Sequence, residues 1–137
     1  MAIQQLSVFV ENTPGSLAEI TEVLAGENID IRALSIADTS DFGILRLIVD
    51  RPEEARDALK GRGFTVSIND VIGIGVDDRP GGLSKALRLL GESGLVVEYL
   101  YAYVSRVDGL AYGILRMDDN AAAEKLLAEN GFRELKN

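Results

Sequence analysis

Cysteine and histidine are both missing from this chain of 137 residues. Without them the protein can form no disulfide, no Ser–His or Cys–His nucleophile and no histidine-ligated metal site. No apolar run approaches the ~20 residues that cross a bilayer, and no basic-then-apolar stretch opens the chain. These absences predict a cytoplasmic protein with no membrane-spanning segment and no thiol chemistry.

Positive charge is also scarce, with 14 Lys and Arg residues against 22 Asp and Glu residues and a net charge of -8. Nucleic acids and anionic membrane surfaces are bound mainly through lysine and arginine. The charge balance therefore predicts that neither is a partner. The composition is otherwise globular, at 47% hydrophobic and 26% charged residues, and the length allows one domain or two small ones.

The most informative feature that is present is an internal repeat. A shift of 66 positions places "NTPGSL" (12–17) on "DRPGGL" (78–83), and a shift of 70 places "FGILR" (42–46) on "YGILR" (112–116). Matched blocks in the same order indicate a tandem duplication. The two predicted copies are residues 1–68 and residues 69–137.

Each copy shows the same order of strand-like and helix-like segments. In the first copy, apolar residues alternate along residues 3–11, as in a half-buried strand, and recur at helical spacing along residues 16–26. The remaining segments are β-branched runs at 28–37 and 42–50, a helix at 51–63 and a short strand at 64–68. The order βαββαβ predicts an α+β protein of two ferredoxin-like repeats, each an antiparallel sheet with both helices on one face.

The turn between the first strand and the first helix has residues suited to binding a small zwitterion. Pro14 fixes its own φ, and Gly15 allows a positive φ or a close approach of the backbone. The amides of Gly15, Ser16 and Leu17 then open a helix, where free N–H groups and the helix dipole favour a carboxylate. Asn12 can both donate and accept hydrogen bonds. The pattern predicts an amino acid or a related small carboxylate as ligand.

These segments resemble the ACT family, regulatory domains that bind amino acids. The resemblance rests on "ENTPGSLAEITEVLAGENIDI" (11–31) and "DDRPGGLSKALRLLGESGLVV" (77–97), and it covers the chain as a tandem pair of ACT domains. Serine-sensing members contact their ligand through an asparagine before the proline–glycine turn and another that opens the second strand. The matching residues are Asn12 and Asn28, whereas Val10 stands where those members have a histidine.

The resemblance also implies where a ligand is held and how the chain assembles. ACT ligands lie where the turn of one copy faces a strand of a neighbouring copy, which implies a shared site and a homodimer. The second copy has Asp78 in place of Asn12 and Gly94 in place of Asn28, so the first turn is predicted to be the better binder. The predicted ligand-binding residues are Asn12, Pro14, Gly15, Ser16, Leu17, Asn28 and Ile29 in the first copy and Asp78, Pro80, Gly81, Gly82 and Leu83 in the second.

No set of base, nucleophile and orienting residue is apparent in the sequence, so we predict no enzymatic activity, no catalytic residue, no cofactor and no metal site. The predicted function is a regulatory sensor that binds an amino acid and acts on a separate enzyme. The alternative is a ligand-free structural or protein-interaction module of the same fold, which pairs through its sheets.

Two glycines near the start of the second copy have two interpretations. Gly73 and Gly75 end a strand, as the glycines of a dinucleotide-binding loop do. Asp78 falls where the third glycine of that loop belongs, and its charge opposes a pyrophosphate. We therefore predict that the glycines allow close packing on one face of the sheet.

A run of tyrosines alternates along the predicted second strand of the second copy. Tyr99, Tyr101 and Tyr103 fall on one face of that strand. The pattern predicts a packing surface between copies or subunits, with an aromatic ligand platform as the alternative.

Overall fold

The computed structural model describes residues 3–38, 41–104 and 109–135 of the chain. The described residues form two compact units. The first unit consists of residues 4–69, and the second consists of Ile3 and residues 70–135. The described residues contain four helices and seven strands, which confirms the predicted α+β class. None of those helices has the length and apolar character needed to span a membrane.

The first unit is a sheet with two helices. Its elements are β1 (Ile3–Glu11), α1 (Ser16–Gly26), β2 (Ile31–Asp38), β3 (Phe42–Val49), α2 (Pro52–Gly61) and the first residues of β4 (Val66–Asp77). The strand order is β2-β3-β1-β4, and β3 is antiparallel to both of its neighbours. The unit is therefore the predicted ferredoxin-like βαββαβ repeat.

The core of the first unit fixes the position of α1 on the sheet. Alternation along β1 directs Leu6 and Val8 into the same cluster as Ile20 and Leu24 of α1, and all four are fully buried. Helix α2 adds Leu59 to that cluster, so both helices cover one face of the sheet, as predicted. Burial of each large side chain contributes roughly 1.5–3 kcal/mol. This packing holds the start of α1 beside the end of β1, where the predicted ligand turn lies.

The second unit repeats the plan. Its elements are the rest of β4, α3 (Gly82–Glu92), β5 (Val97–Ala102), β6 (Leu110–Met117), α4 (Asn120–Glu129) and β7 (Arg133–Glu134). Strand β6 pairs antiparallel with β4 and β5, and β7 pairs with β4. Ile72, Leu90, Leu115 and Leu127 are among the residues of its own core, which again joins both helices to one face of the sheet.

Strand β4 differs from the expectation drawn from the sequence. The sequence predicts a short strand at 64–68 and a separate strand that opens the second copy. The structure has one continuous strand of 12 residues. The physical reason is that no glycine or proline lies between Val66 and Ile72, so nothing in the backbone requires the chain to turn there.

The glycines of β4 lie on the sheet face opposite the helices of the second unit, where close packing leaves no room for a side chain. A Cβ on Gly73 would lie 2.5 Å from Cδ1 of Ile3 and 2.7 Å from Cβ of Leu135. A Cβ on Gly75 would lie 2.9 Å from Cε1 of Tyr112. These distances support the packing interpretation of the glycine pair.

The tyrosines of β5 and its continuation are half-buried in the second unit. The rings of Tyr99 and Tyr101 stack with their centroids 6.5 Å apart. Tyr103 meets Tyr112 edge-on, with centroids 6.2 Å apart. The alternation along the strand is thus present, and the assembly surface inferred from it stays a prediction.

Candidate ligand site at the first turn

The connection from β1 to α1 is a type II β-turn over Thr13–Ser16. The Ser16 N–H donates to the Thr13 carbonyl at 3.3 Å, and Gly15 has φ 85° and ψ -5°, close to the third residue of such a turn. Pro14 occupies the second position, which proline favours. The sequence "TPGS" therefore forms this turn because proline and glycine each match one of its backbone requirements.

The first residues of α1 present backbone donors. The Ser16 N–H is used by the turn itself, whereas the sequence had included it among the donors for a ligand. In the described part of the chain, the N–H groups of Gly15, Leu17 and Ala18 make no hydrogen bond. No side chain caps this end of the helix. The helix therefore begins with unsatisfied donors at its positive end.

A cleft of about 210 Å³ lies beside these donors. The cleft contains four of the seven predicted ligand residues of the first copy: Asn12, Gly15, Ser16 and Leu17. The other residues that line it are Val10, Glu11, Thr13, Ala18, Ile36, Phe42 and Gly43. Pro14 is not among the lining residues, and its role is to form the turn.

The polar end of the cleft is built by the turn residues. The Asn12 backbone N–H donates to the Asp41 carbonyl at 3.0 Å, which joins the end of β1 to the residue before β3. The Asn12 side chain is exposed and makes no hydrogen bond within the described residues. The hydroxyls of Thr13 and Ser16 are hydrogen-bonded to each other at 2.6 Å. These groups can both donate to and accept from a small polar ligand.

The opposite wall of the cleft is apolar and comes from the hairpin of β2 and β3. Ile36 and Phe42 each leave 47% of their surface exposed, although both are large apolar side chains. Phe42 is brought next to the turn because it pairs with Glu11 in the sheet. Glu11 is the single charged residue among the described lining residues. The cleft thus combines backbone donors, one carboxylate and an apolar wall.

Asn28 and Ile29 lie at the other end of α1 from the turn. An eleven-residue helix is about 16 Å long, and neither residue lines the cleft. Asn28 has φ 55°, and its N–H donates to the Ala25 carbonyl, while the Ile29 N–H donates to the Leu24 carbonyl. These are the two hydrogen bonds of a Schellman motif, with Asn28 in the left-handed position. Within one unit, the two predicted asparagines are therefore not brought together.

Arg51 was not singled out by the sequence, and it reinforces the end of α1. Its guanidinium donates to the carbonyls of Glu27 at 2.8 Å and Asn28 at 2.5 Å. It also contacts Glu54 at 2.6 Å. A cation near helix carbonyls satisfies acceptors that have no partner within the helix. Asn28 and Ile29, which is buried in the core, therefore have clear roles in the fold.

The second turn has the same backbone. Gly81 has φ 90°, the Gly82 N–H donates to the Arg79 carbonyl at 3.0 Å, and Pro80 occupies the second position of the turn. The amides of Leu83 and Ser84 make no hydrogen bond in the described residues. Of the predicted residues, Pro80, Gly81 and Gly82 thus lie in the type II turn over residues 79–82, and Asp78 and Leu83 flank it.

The side chains around the second turn are different. Asp78 is exposed, and Arg79 forms a 3.2 Å ion pair with Asp77. Gly82 stands where the first turn has Ser16, and a Cβ there would collide with the Asp77 carbonyl oxygen. The second turn therefore carries two carboxylates and lacks the hydroxyl pair of the first.

Comparison with known proteins decides the family. The model of the ACT domain pair family matches residues 1–136 of the chain. The chain belongs to the ACT domain pair family. No curated protein matches it.

Three solved structures are similar to this ACT pair. Protein BT0572 from Bacteroides thetaiotaomicron is 42% identical, with a TM-score of 0.92, over 98% of this chain and 92% of that one. The regulatory subunit of aspartate kinase from Thermus thermophilus is 16% identical, with a TM-score of 0.66, over 93% and 92% of the two chains. The corresponding subunit from Thermus flavus is 17% identical, with a TM-score of 0.61, over 92% and 90%. At these identities, the two kinase subunits share the fold.

The ACT pair has cleft residues that sequence reasoning missed. Ile36, Phe42 and Gly43 line the cleft, yet they lie about 20 to 30 positions along the chain from the turn. The available signal was the repeat block "FGILR", whose first residue is Phe42. That block marks a strand, but only the pairing of β3 with β1 shows that its start faces the turn.

Proposed function

We propose that this ACT pair binds an amino acid or a related small carboxylate at the first turn. The observation that carries the proposal is the set of amides at Gly15, Leu17 and Ala18, which open α1 without hydrogen-bond partners in the described residues and line a cleft of about 210 Å³. A helix N-terminus with free N–H groups favours an anion, because the donors and the helix dipole act together.

The remaining parts of a bound amino acid have complementary groups in the same cleft. The carboxylate of Glu11 and the amide oxygen of Asn12 can accept hydrogen bonds from an ammonium group. Ile36 and Phe42 can contact an apolar side chain. A ligand with a second negative charge is disfavoured, because the single charged residue among the described lining residues is the carboxylate of Glu11.

The proposed output is regulation of a separate enzyme, with no catalysis by this chain. The two copies within the chain are proposed to be residues 1–68 and 69–137. The protein is proposed to form a homodimer in the cytoplasm, in which Asn28 of a neighbouring subunit completes the site. Ligand binding would then favour one arrangement of copies over another. The regulatory role of the kinase subunits is consistent with this function, although their identity to this chain supports the fold alone.

Thermal melting against the twenty amino acids tests the proposal. A ligand at about 100 times its dissociation constant should stabilise the folded state by about 2.7 kcal/mol, which raises the Tm by several degrees. Asn12→Ala should abolish the shift. Asp78→Ala, at the equivalent position of the second turn, should leave it intact. If no amino acid at millimolar concentration raises the Tm, the chain is not an amino-acid sensor.

The alternative function is a ligand-free protein-interaction module. The observation in its favour is the exposure of large apolar side chains in the first unit, including Phe9 at 54%, Leu34 at 47% and Ile36 at 47%. Exposed apolar surface often marks an interaction site. Sedimentation of the protein without ligand separates the two functions. A stable assembly whose mass and Tm do not respond to any amino acid would favour the interaction module.

A further inference from the structure

A second cleft, of about 400 Å³, also borders the first turn. It is lined by Phe9, Glu11, Thr13, Ser16, Glu19, Phe42, Gly63, Phe64 and Thr65, all within the first unit. We refer to it as the aromatic–acidic cleft. It shares Glu11, Thr13, Ser16 and Phe42 with the candidate amino-acid site, but it extends toward the end of α2 and away from β2.

Three phenylalanines supply the apolar surface of the aromatic–acidic cleft. The rings of Phe9 and Phe42 are tilted by 60°, with centroids 5.9 Å apart. Phe9 leaves 54% of its surface exposed and Phe42 47%. Phe64 is half-buried at the far side. Aromatic faces attract a cation that lies within about 6 Å of the ring centre.

Two carboxylates supply the charge of the cleft. Glu11 ends β1, and Glu19 lies in the first turn of α1. Both are exposed, and the described residues that line the cleft include no lysine or arginine. Aromatic faces beside carboxylates form a site for a cation that carries apolar atoms, such as an alkylammonium or a guanidinium.

The second unit has a cleft at the equivalent place with different side chains. The equivalent cleft of the second unit, of about 260 Å³, is lined by Gly75, Val76, Asp77, Gly82, Lys85, Leu110, Asn130, Gly131, Phe132 and Arg133. The 66-residue shift places Phe9 on Gly75 and Glu19 on Lys85, and a 68-residue shift places Thr65 on Arg133. The cleft of the second unit therefore has no ring at the position of Phe9. Its charged lining residues are one carboxylate and two cations, where the aromatic–acidic cleft has two carboxylates.

This contrast separates what the fold requires from what it does not. Gly63 and Phe64 recur as Gly131 and Phe132, and in both units they end a helix with the same backbone hydrogen bonds. Phe64 is thus explained by the fold. Glu19 is not required by the fold, because α3 also forms with Lys85 at that position. The fold of the second unit likewise forms without a ring at the position of Phe9.

We propose that the aromatic–acidic cleft binds a primary ammonium or guanidinium group on a short apolar stem. The stem contacts Phe9 and Phe42, and the charged end lies near Glu11 and Glu19. The site does not depend on an occupied amino-acid cleft. The cation can come from a free amine or from the basic side chain of an amino acid held in the first cleft, and the two sources share this chemistry.

Titration of the whole chain with butylammonium, followed by the NMR shifts of backbone amides, tests the proposal. Butanol is the matched neutral probe. Butylammonium should produce saturable shifts at the amides of Phe64 and Thr65, and butanol at the same concentration should not. Glu19→Gln should weaken binding about two- to fivefold, as expected for one exposed ionic contact. Raising the salt concentration should weaken it further.

The matched control is Glu22→Gln, because Glu22 is exposed on the same helix and does not line the cleft. This variant should bind butylammonium as the unsubstituted protein does. Equal binding of butanol and butylammonium would overturn the proposal. So would unchanged binding by Glu19→Gln, or the absence of any shift at tens of millimolar butylammonium.

Lysine and its neutral counterpart norleucine distinguish the two sources. If the cation belongs to a bound amino acid, lysine should bind more tightly than norleucine, and Asn12→Ala should remove lysine binding while butylammonium binding persists. If the cation is a free amine, lysine should shift the amides of Phe64 and Thr65 equally in the unsubstituted protein and in Asn12→Ala. Either result supports a cation site, and neither depends on whether the first cleft holds neutral amino acids.

Discussion

The first and second turns are of the same type and differ in their chemistry. Both are type II turns with a proline, a glycine at positive φ and two helix-opening amides without partners in the described residues. Around them, Asn12 is replaced by Asp78 and Ser16 by Gly82, and Arg79 pairs with Asp77. The repeated turn thus supplies the fold in both units, whereas the side chains around it give the two turns different charge and hydrogen-bonding groups.

The largest expected effect comes from exchanging the side chains at the helix starts. Gly82→Ser adds a Cβ that clashes with the Asp77 carbonyl oxygen. The substitution should destabilise the protein by about 1–3 kcal/mol, the usual cost of overpacking. Urea unfolding measures this change. Gly91→Ser, in open space on the same helix, is the control and should cost nothing. If Gly82→Ser is as stable as the control, the two turns are more alike than the structure indicates.

The next effect tests the feature that the two turns share. Gly15→Ala and Gly81→Ala force a Cβ into the left-handed region, and each should cost about 1–2 kcal/mol in urea unfolding. Gly26→Ala, within α1 and with open space around it, should be neutral or stabilising by about 0.4–1 kcal/mol. Unequal costs at the two turns would contradict the claim of a common turn type.

A smaller effect sharpens the comparison at the second helix of each unit. Asp119 caps α4 by accepting from the Ala122 N–H at 3.0 Å, whereas Arg51 at the start of α2 makes no such cap. Asp119→Ala should cost about 1 kcal/mol. Arg51→Ala should cost about 0.2–1 kcal/mol, since it removes exposed contacts. Urea unfolding of both variants measures the two costs. A larger loss of stability in Arg51→Ala than in Asp119→Ala would contradict this order.

Much of the fold was predictable because each element has its own local signal. The alternation along β1 and the helical spacing of Ile20 and Leu24 correspond directly to the buried residues. The sequence correctly marked Gly26 as the end of α1, but it placed the start of the next strand at Asn28, whereas β2 begins at Ile31. Asparagine is the residue after glycine that best tolerates the left-handed position, and Gly94 occupies that position in the second unit.

The candidate site was predictable only in part. The turn residues follow from a contiguous pattern, so Asn12, Gly15 and Leu17 were identified from the sequence. Ile36 and Phe42 were not, because their place beside the turn depends on the pairing of distant strands. The aromatic–acidic cleft was missed for the same reason.

Backbone amide NMR during titration with the amino acid that most raises the Tm tests the central claim most directly. We expect saturable shifts of the amides of Leu17 and Ala18, with the amides of Leu83 and Ser84 unmoved. Shifts confined to Leu83 and Ser84, or the absence of shifts at all four amides while the Tm rises, would contradict it.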